Sequence, residues 1–311
     1  MTAKLAGAAE AVSDLPPGCG DFYLPAAPWQ DCLPFDDVRR SRLVLCLTPF
    51  SSLEGCPLRR VLRCCLVPLL LGCCTASPRL EVHNAAAHPA PAPAGLVFVA
   101  NGSGDLRTVS ASLNKVVAQS SAPLEVETFV WSHGYSRYLT DHLDHANHLA
   151  QGRKLADQVA LYRRTYPERR VYLIGHSAGC AVALAAAEAL PPDSVYRIVL
   201  LAPSVCVSYD LRPALSSARG GIDVFYSRKD TLVLGLGVRL VGTAEGGCRT
   251  AAGRCSFTPV LTYPTDAVLY RKLQQHGWDP AVEWSGNDGG HYGSNEPGFL
   301  RAYMLPLLTG E

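Results

Sequence analysis

The sequence has almost no net charge and nothing typical of a nucleic-acid-binding protein. Its 311 residues carry a formal charge of +1 at pH 7, and only 18% of them are charged. No basic patch stands out, so nucleic acid is not an expected partner. No repeat period is present either, which argues against a solenoid or a propeller. With 48% hydrophobic residues, the chain is long enough for one large α/β domain and some additional length.

Cysteine is scarce in the second part of the chain and common in the first. Eight of the twelve cysteines lie at or before Cys74, and the other four are Cys180, Cys206, Cys248 and Cys255. The two parts therefore need separate explanations. Residues 1–57 show little periodic pattern and contain Pro16-Pro17, so we predict a poorly patterned N-terminal segment there.

Residues 58–74 have the pattern of a secretory signal. Three arginines between positions 59 and 63 precede a short apolar run over 64–72, and small residues follow it. The run is too short for a membrane-spanning helix, which needs roughly 20 apolar residues. Its end, Leu70-Leu71-Gly72-Cys73, resembles a bacterial lipobox. That resemblance implies that the Cys73 thiol is acylated and that Cys73 becomes the new N-terminus.

The position of this segment predicts a start later than Met1, because such signals begin within a few residues of the start. Under this hypothesis residues 1–57 are not native, and Leu58 or Val61 stands at an alternative start codon. The protein would then be exported to the cell envelope or periplasm and attached to the membrane by its N-terminal lipid. In the alternative, residues 64–72 are a cysteine-rich apolar segment without a signal function, and the protein is cytoplasmic.

A Pro/Ala-rich stretch over residues 75–94 predicts a linker, because proline-rich chain is extended and fits neither a helix nor a central strand. A folded domain is expected over residues 95–311. Short apolar runs predict strands at 96–100, 125–131, 171–174, 196–201 and 222–226, and a strand-like segment at 281–284. Helices are predicted around 106–116, at 150–166, from the turn after 174 to 190, at 265–276 and at 296–308. This alternation predicts an α/β fold with a mostly parallel central sheet and helices on both faces.

The motif Gly175-His176-Ser177-Ala178-Gly179 lies between a predicted strand and an alanine-rich helix. A G-x-S-x-G sequence in that position is typical of a nucleophile elbow, in which a strained turn lifts the serine hydroxyl above the sheet. Bulky side chains in place of the glycines would collide with the strand and the helix. The N-terminus of the helix also directs its positive dipole end at the site. We predict that Ser177 is a nucleophile; the alternative is a glycine-rich turn with a capping serine.

With this motif, residues 95–308 resemble the α/β-hydrolase superfamily, whose triad follows the order Ser, Asp or Glu, His. The resemblance implies that Asp230, on the loop after the strand at 222–226, is the acid. It implies that His291, in a glycine-rich loop before the last helix, is the base. In the alternatives, Asp230 is a solvated aspartate paired with Arg228 or Lys229, and His291 is a surface histidine. Weaker candidates for these roles are Asp210, Asp266, Asp288 and His276.

The resemblance also implies an oxyanion hole formed by backbone N–H groups. One donor is expected at Ala178 and the other at Gly102 or Ser103, unless the loop after the first strand is a simple turn. That loop lacks the His-Gly-Gly-Gly pattern of some lipases and esterases. His133 is expected at the substrate entrance, with a structural turn as the alternative. Leu232, in an apolar run over 232–236, is expected in an acyl-pocket wall, with the core as the alternative.

Together these residues predict hydrolysis of an ester or related acyl bond through an acyl-serine intermediate, without a metal or organic cofactor. A small-molecule or lipid acyl ester is the expected substrate. An acyltransferase with the same triad and a noncatalytic ligand-binding protein remain alternatives. Two further features are left open: a metal site or a lid segment at His142, His145 and His148, and a disulfide or two unpaired thiols at Cys248 and Cys255.

Overall fold

The computed structural model describes residues 94–310, which contain a six-stranded sheet in the order β2-β1-β3-β4-β5-β6. Every neighbouring pair in the sheet is parallel. The strands are β1 Gly95–Ala100, β2 Leu124–Thr128, β3 Arg170–His176, β4 Arg197–Leu201, β5 Ile222–Tyr226 and β6 Leu273–Gly277. The predicted signal, lipobox, Cys73 and most of the predicted linker lie outside the described residues.

Helices connect the strands. The α-helices that precede β6 are α1 Thr108–Ser120, α2 Tyr138–Leu143, α3 His145–Thr165, α4 Gly179–Glu188, α5 Arg212–Ser217, α6 Val238–Val241, α7 Ala252–Cys255 and α8 Pro264–Tyr270. A π-helical turn at Leu232–Gly237 leads into α6, and the chain ends in α9 Pro297–Phe299, a π-helical turn at Leu300–Met304 and α10 Leu305–Thr309. Short 3₁₀ turns lie at Ser103–Asp105, Pro280–Ser285 and Gly293–Asn295. No helix within residues 94–310 is long and apolar enough to cross a membrane.

The core lies on both faces of the sheet, as the continuous apolar strands predict. All six residues of β1 are buried. Leu96 and Phe98 pack in a cluster with α3, α4 and α5, whereas Val97 and Val99 pack in a second cluster with α1 and the C-terminal helices. Because β1 lies between β2 and β3 and is covered on both faces, its carboxyl end is held rigidly. The predicted fold class is confirmed.

Two predicted elements near the C-terminus are wrong. The helix predicted at 265–276 ends at Tyr270, and residues 273–277 form β6, in which Leu273 pairs with Ile222. As an edge strand, β6 is largely exposed and its sequence, LQQHG, lacks apolar alternation. The segment predicted as strand-like at 281–284 is a 3₁₀ turn. Its cap is Asp279, whose carboxylate accepts a hydrogen bond from the Ala281 N–H at 2.7 Å.

Candidate active site

Ser177 lies on a sharp turn between β3 and α4. Its φ of +53° is in the left-handed region, which a serine adopts only when the surrounding structure holds it there. The Ser177 N–H donates to the Leu201 carbonyl at 3.0 Å, and the Cys180 N–H donates to the Ser177 carbonyl at 3.1 Å. A Cβ at Gly175 would lie 2.6 Å from the Cys180 Cα, so the helix can approach the strand only because this residue is glycine.

The structure brings Ser177, Asp230 and His291 together. The Ser177 Oγ is 2.9 Å from Nε2 of His291, and Nδ1 of the same ring is 2.6 Å from Oδ2 of Asp230. All three residues are at most 7% exposed. The other Asp230 oxygen, Oδ1, accepts from the Leu234 N–H at 3.0 Å. The carboxylate therefore holds Nδ1 in its protonated form, which leaves Nε2 as the acceptor for the serine proton.

The weaker candidates for acid and base are engaged elsewhere. Asp210 and Asp266 both bind Arg212, and Asp266 also accepts from the Thr262 and Tyr263 N–H groups at the start of α8. Asp288 accepts from the Gly290 N–H, and His276 binds Asp223 at 2.8 Å on β5. Lys229, an expected partner of a solvated Asp230, instead pairs with Glu283 at 3.3 Å.

His176 is a buried member of the site for which the sequence predicted no role. Its Nε2–H donates to the His291 carbonyl at 3.1 Å, so it supports the loop that carries the candidate base. The two rings lie 5.0 Å apart. Burial, reinforced by the nearby His291, lowers the pKa of His176 to about 3. A position inside the G-x-S-x-G motif was the only sequence signal for this residue.

The loop after β1 lies directly against Ser177. A Cβ at Gly102 would be 3.4 Å from the Ser177 Cβ and 2.8 Å from Nδ1 of His176, so there is no room for a side chain. The preceding Asn101 fixes the loop on two sides: its carbonyl accepts from the Trp131 indole at 2.8 Å, and its side chain bonds to Ser110 on α1. Gly102 and Ser103 both line the pocket beside Ser177, and Ala178 is buried at the start of α4.

A pocket of about 280 Å³ opens beside Ser177. Its wall is mainly apolar and comes largely from the loop after β1, α2 and the segment 232–241. The apolar and aromatic lining residues are Leu106, Tyr138, Leu139, Val233, Leu234, Val238, Val241 and Tyr292. The structure does not bring His133 or Leu232 to this lining. His133 is bound to Asp141, and Leu232 is 78% exposed because the π-helical turn directs its neighbours inward instead. A second pocket, of about 260 Å³, contacts Asp230 but not Ser177.

The three regularly spaced histidines do not lie on one helix. Asp144 ends α2 and caps α3 by accepting from the Asn147 N–H at 2.9 Å, so His142 belongs to one helix and His145 and His148 to the next. His142 lines the pocket, with Nε2 2.8 Å from the Gly242 carbonyl. Within residues 94–310, no group of three or more His, Cys, Asp or Glu side chains is arranged to hold a metal ion.

A disulfide joins Cys206 to Cys248, which rules out both alternatives left open for Cys248, a bond to Cys255 and an unpaired thiol. The partners are 42 residues apart, and local spacing could not reveal them. The Val207 N–H donates to the Thr250 carbonyl at 3.1 Å, which holds the two segments side by side. The disulfide thereby fixes the segment that follows α6, next to the Gly242 contact of His142.

A family model described as "alpha/beta hydrolase fold" matches residues 117–226, which include the Ser177 turn and strands β3 to β5. The chain has the α/β-hydrolase fold. This α/β-hydrolase domain has no match among the curated proteins.

Solved structures similar to this chain include a predicted CIB-like hydrolase from Thermoplasma acidophilum, at 14% identity and a TM-score of 0.41, covering 71% of this chain and 89% of the other. The catalytic core of an acetyl xylan esterase from Trichoderma reesei is 15% identical, with a TM-score of 0.36 and coverages of 68% and 98%. A cutinase-like protein from Cryptococcus sp. is 13% identical, with a TM-score of 0.37 and coverages of 68% and 94%.

Proposed function

We propose that this α/β-hydrolase cleaves carboxylic esters through an acyl-serine intermediate. The observation that carries the proposal is the continuous hydrogen-bonded path from Ser177 through His291 to Asp230, at 2.9 and 2.6 Å, beside an apolar pocket. Hydroxyl, imidazole and carboxylate in this order form a nucleophile, a general base and a group that orients the base.

In the proposed reaction the Ser177 Oγ attacks the ester carbonyl, and Nε2 of His291 takes the serine proton. The new imidazolium is stabilised by the Asp230 carboxylate. Backbone N–H groups of Ala178 and of Gly102 or Ser103 bind the oxyanion. The tetrahedral intermediate then collapses: the bond to the alcohol breaks, and His291 returns its proton to the leaving oxygen. Water repeats the sequence on the acyl-serine and releases the carboxylic acid.

The apolar wall of the pocket supports the proposal that the pocket binds the acyl part of the substrate and that this acyl group is apolar. Its apolar residues, together with a volume of about 280 Å³, favour a small or medium-sized chain, since ligand pockets typically measure about 300–1,000 Å³. The Cys206–Cys248 disulfide supports the further proposal that the protein is exported, because disulfides persist in oxidising compartments.

The test compares the full-length wild type with Ser177→Ala in a reaction with a fluorophosphonate probe and with p-nitrophenyl esters of increasing chain length. We expect the wild type to be labelled and to turn over esters, and the variant to do neither. Asp230→Asn should keep the fold and lose roughly 10⁴-fold in kcat, the size of loss known for the equivalent change in a serine-protease triad. A folded wild type that reacts with neither reagent would contradict the proposal.

A further inference from the structure

Asp141 is a buried carboxylate outside the triad. It lies on α2 with none of its surface exposed. Its Oδ2 accepts from the Gly104 N–H at 2.7 Å and from the Ser132 hydroxyl at 2.6 Å. Its Oδ1 accepts from the backbone N–H and the Nδ1 of His133, at 2.7 and 2.9 Å. Burial alone would raise the pKa of Asp141, but these hydrogen bonds outweigh it and hold the pKa below its ordinary value, so the group is a charged carboxylate.

These bonds fasten together two loops that follow neighbouring strands. Gly104 belongs to the loop after β1, which carries Gly102 and Ser103, whereas Ser132 and His133 belong to the loop after β2. A further backbone bond, from Ser136 N–H to the Gly104 carbonyl at 3.1 Å, joins the same two segments. The loop after β1 therefore depends on Asp141 for part of its position.

The same residue fixes one wall of the pocket. Tyr138, Leu139 and His142, on the helix that carries Asp141, all line the space beside Ser177. The ring of Tyr138 lies so close to Gly104 that a Cβ at Gly104 would collide with it. Asp141 thus lies where the loop beside the nucleophile and the pocket wall meet, although its own carboxylate is not part of the pocket lining.

We propose that Asp141 is a positioning residue for the reaction of Ser177: its carboxylate holds the Gly102–Gly104 loop at the distance that the oxyanion requires. This inference rests on the proposed function. Hydrogen-bond donors stabilise an oxyanion only when they are fixed before the reaction, and a misplacement of about 1 Å can cost about 10²-fold in rate. A charged acceptor forms stronger hydrogen bonds to backbone N–H groups than a neutral one and is suited to this role.

The test is Asp141→Asn in the full chain. An asparagine has almost the same shape, but its NH₂ group cannot accept from the donors that face it, so at least one loop contact is lost. We expect kcat on p-nitrophenyl esters to fall by about 10- to 100-fold, while KM changes less than about threefold. The affinity for an alkyl trifluoromethyl ketone, which forms a tetrahedral adduct with an active serine, should fall by the same factor as kcat/KM.

Asp144→Asn is the matched control. Asp144 binds His133 from the other side, at 3.2 Å, and caps α3. The Asp144→Asn variant should have a lower free energy of unfolding, but its kcat and its affinity for the ketone should stay within about twofold of wild type. If kcat and the affinity for the ketone fell equally in both variants, the two carboxylates would merely support the loop that carries His133. That result would overturn the inference. Unchanged kcat and ketone affinity in Asp141→Asn would overturn it as well.

If Asp141→Asn does not fold, Ser132→Ala decides the question. This variant keeps the carboxylate and removes one of its four donors. We expect a smaller fall in kcat, about 3- to 10-fold, with KM again nearly constant; no fall would overturn the inference. A wild type without labelling or turnover would instead refute the proposed function, so the two failures are distinguishable.

Discussion

The pocket beside Ser177 has two sides that are built differently. The sheet side consists of the Ser177 turn, the loop after β1 and the loops that carry Asp230 and His291. The side chains of Ser177, Asp230 and His291 are almost fully buried. The wall side consists of α2 and residues 232–241, where Leu139 is 63% exposed and Leu240 is 67% exposed. Hydrogen bonds and close packing fix the sheet side, whereas the wall presents mainly apolar side chains, several of which are exposed.

Under the proposed function, the sheet side carries out the reaction and the wall selects the substrate. Proton transfer requires positions accurate to tenths of an ångström, which the ends of buried parallel strands supply. Recognition of an apolar chain requires only a surface of suitable shape, which an exposed wall can supply. Few polar contacts hold the wall: Asp141 fastens α2 to the loops after β1 and β2, and the Leu234 N–H donates to Asp230. The His142 contact with Gly242 and the Cys206–Cys248 disulfide are two more. We therefore expect substitutions on the sheet side, or of the Asp141 that positions it, to change rates, and substitutions of apolar residues on the wall to change substrate preference.

Outside the Ser177–His291–Asp230 path, the largest expected effect comes from one glycine on the sheet side. Gly102 has an extended backbone that alanine could adopt, but the new Cβ would lie 2.8 Å from Nδ1 of His176. The loop must move away from Ser177, and because displaced oxyanion donors act poorly we expect Gly102→Ala to lower kcat by about 10²-fold. Steady-state kinetics on p-nitrophenyl acetate measures this.

Gly237→Ala on the wall is the comparison variant. Its Cβ would meet only the Leu232 carbonyl, at 3.4 Å, an ordinary contact, and its backbone is already helical. We expect the free energy of unfolding, and the activation free energy that corresponds to kcat, each to change by less than about 0.5 kcal/mol. Equal losses in the two alanine variants would contradict the division into a rigid and an adaptable side.

The same division explains what the sequence could predict. Buried strands with strong local patterns were identified, and the predicted β5 at 222–226 has the observed bounds. The motif around Ser177 and the order of Asp230 and His291 along the chain were sufficient to name three residues that the structure brings together. The three residues come together because the strand ends of a parallel sheet meet at one edge, so topology alone places the loops that carry them.

The wall, in contrast, depends on contacts between residues that are distant in sequence. Which face of the π-helical turn points inward, and the pairing of Cys206 with Cys248, have no local signal. The polar edge strand β6 was mistaken for helix because it is half-solvated and lacks apolar alternation. No local pattern predicts a role for Asp141, because the donors that its carboxylate binds lie up to 37 residues away.

A second test uses the buried His176 on the sheet side. Its folded-state pKa of about 3 lies below the ordinary 6.5, so the unfolded chain binds a proton that the folded chain does not between these pH values. The free energy of unfolding must therefore fall as pH falls from 6.5 towards 3, by up to about 1.4 kcal/mol per pH unit. Through His176, wild type should lose about 2 kcal/mol of its free energy of unfolding between pH 7 and pH 5. The variant His176→Gln should not show this part of the loss.

Urea unfolding at pH 5, 6, 7 and 8 measures this difference. At pH 8 the imidazole is neutral in both states, so the two proteins should differ there only by the substitution itself. Parallel curves for wild type and His176→Gln from pH 8 to pH 5 would show that His176 is solvated or paired and that the sheet side is less tightly closed than its geometry indicates.

The smallest expected effect comes from the wall and concerns preference alone. Val241 on α6 lines the pocket, whereas its neighbour Leu240 is exposed and does not. Val241→Trp should narrow the pocket and lower kcat/KM for long-chain esters by about 10-fold relative to acetate, in the range that hydrophobic pockets discriminate. Leu240→Trp adds the same side chain outside the pocket and should keep the wild-type profile. Identical chain-length profiles for both variants would mean that the acyl chain does not lie along this wall, and that the alcohol part of the ester occupies it.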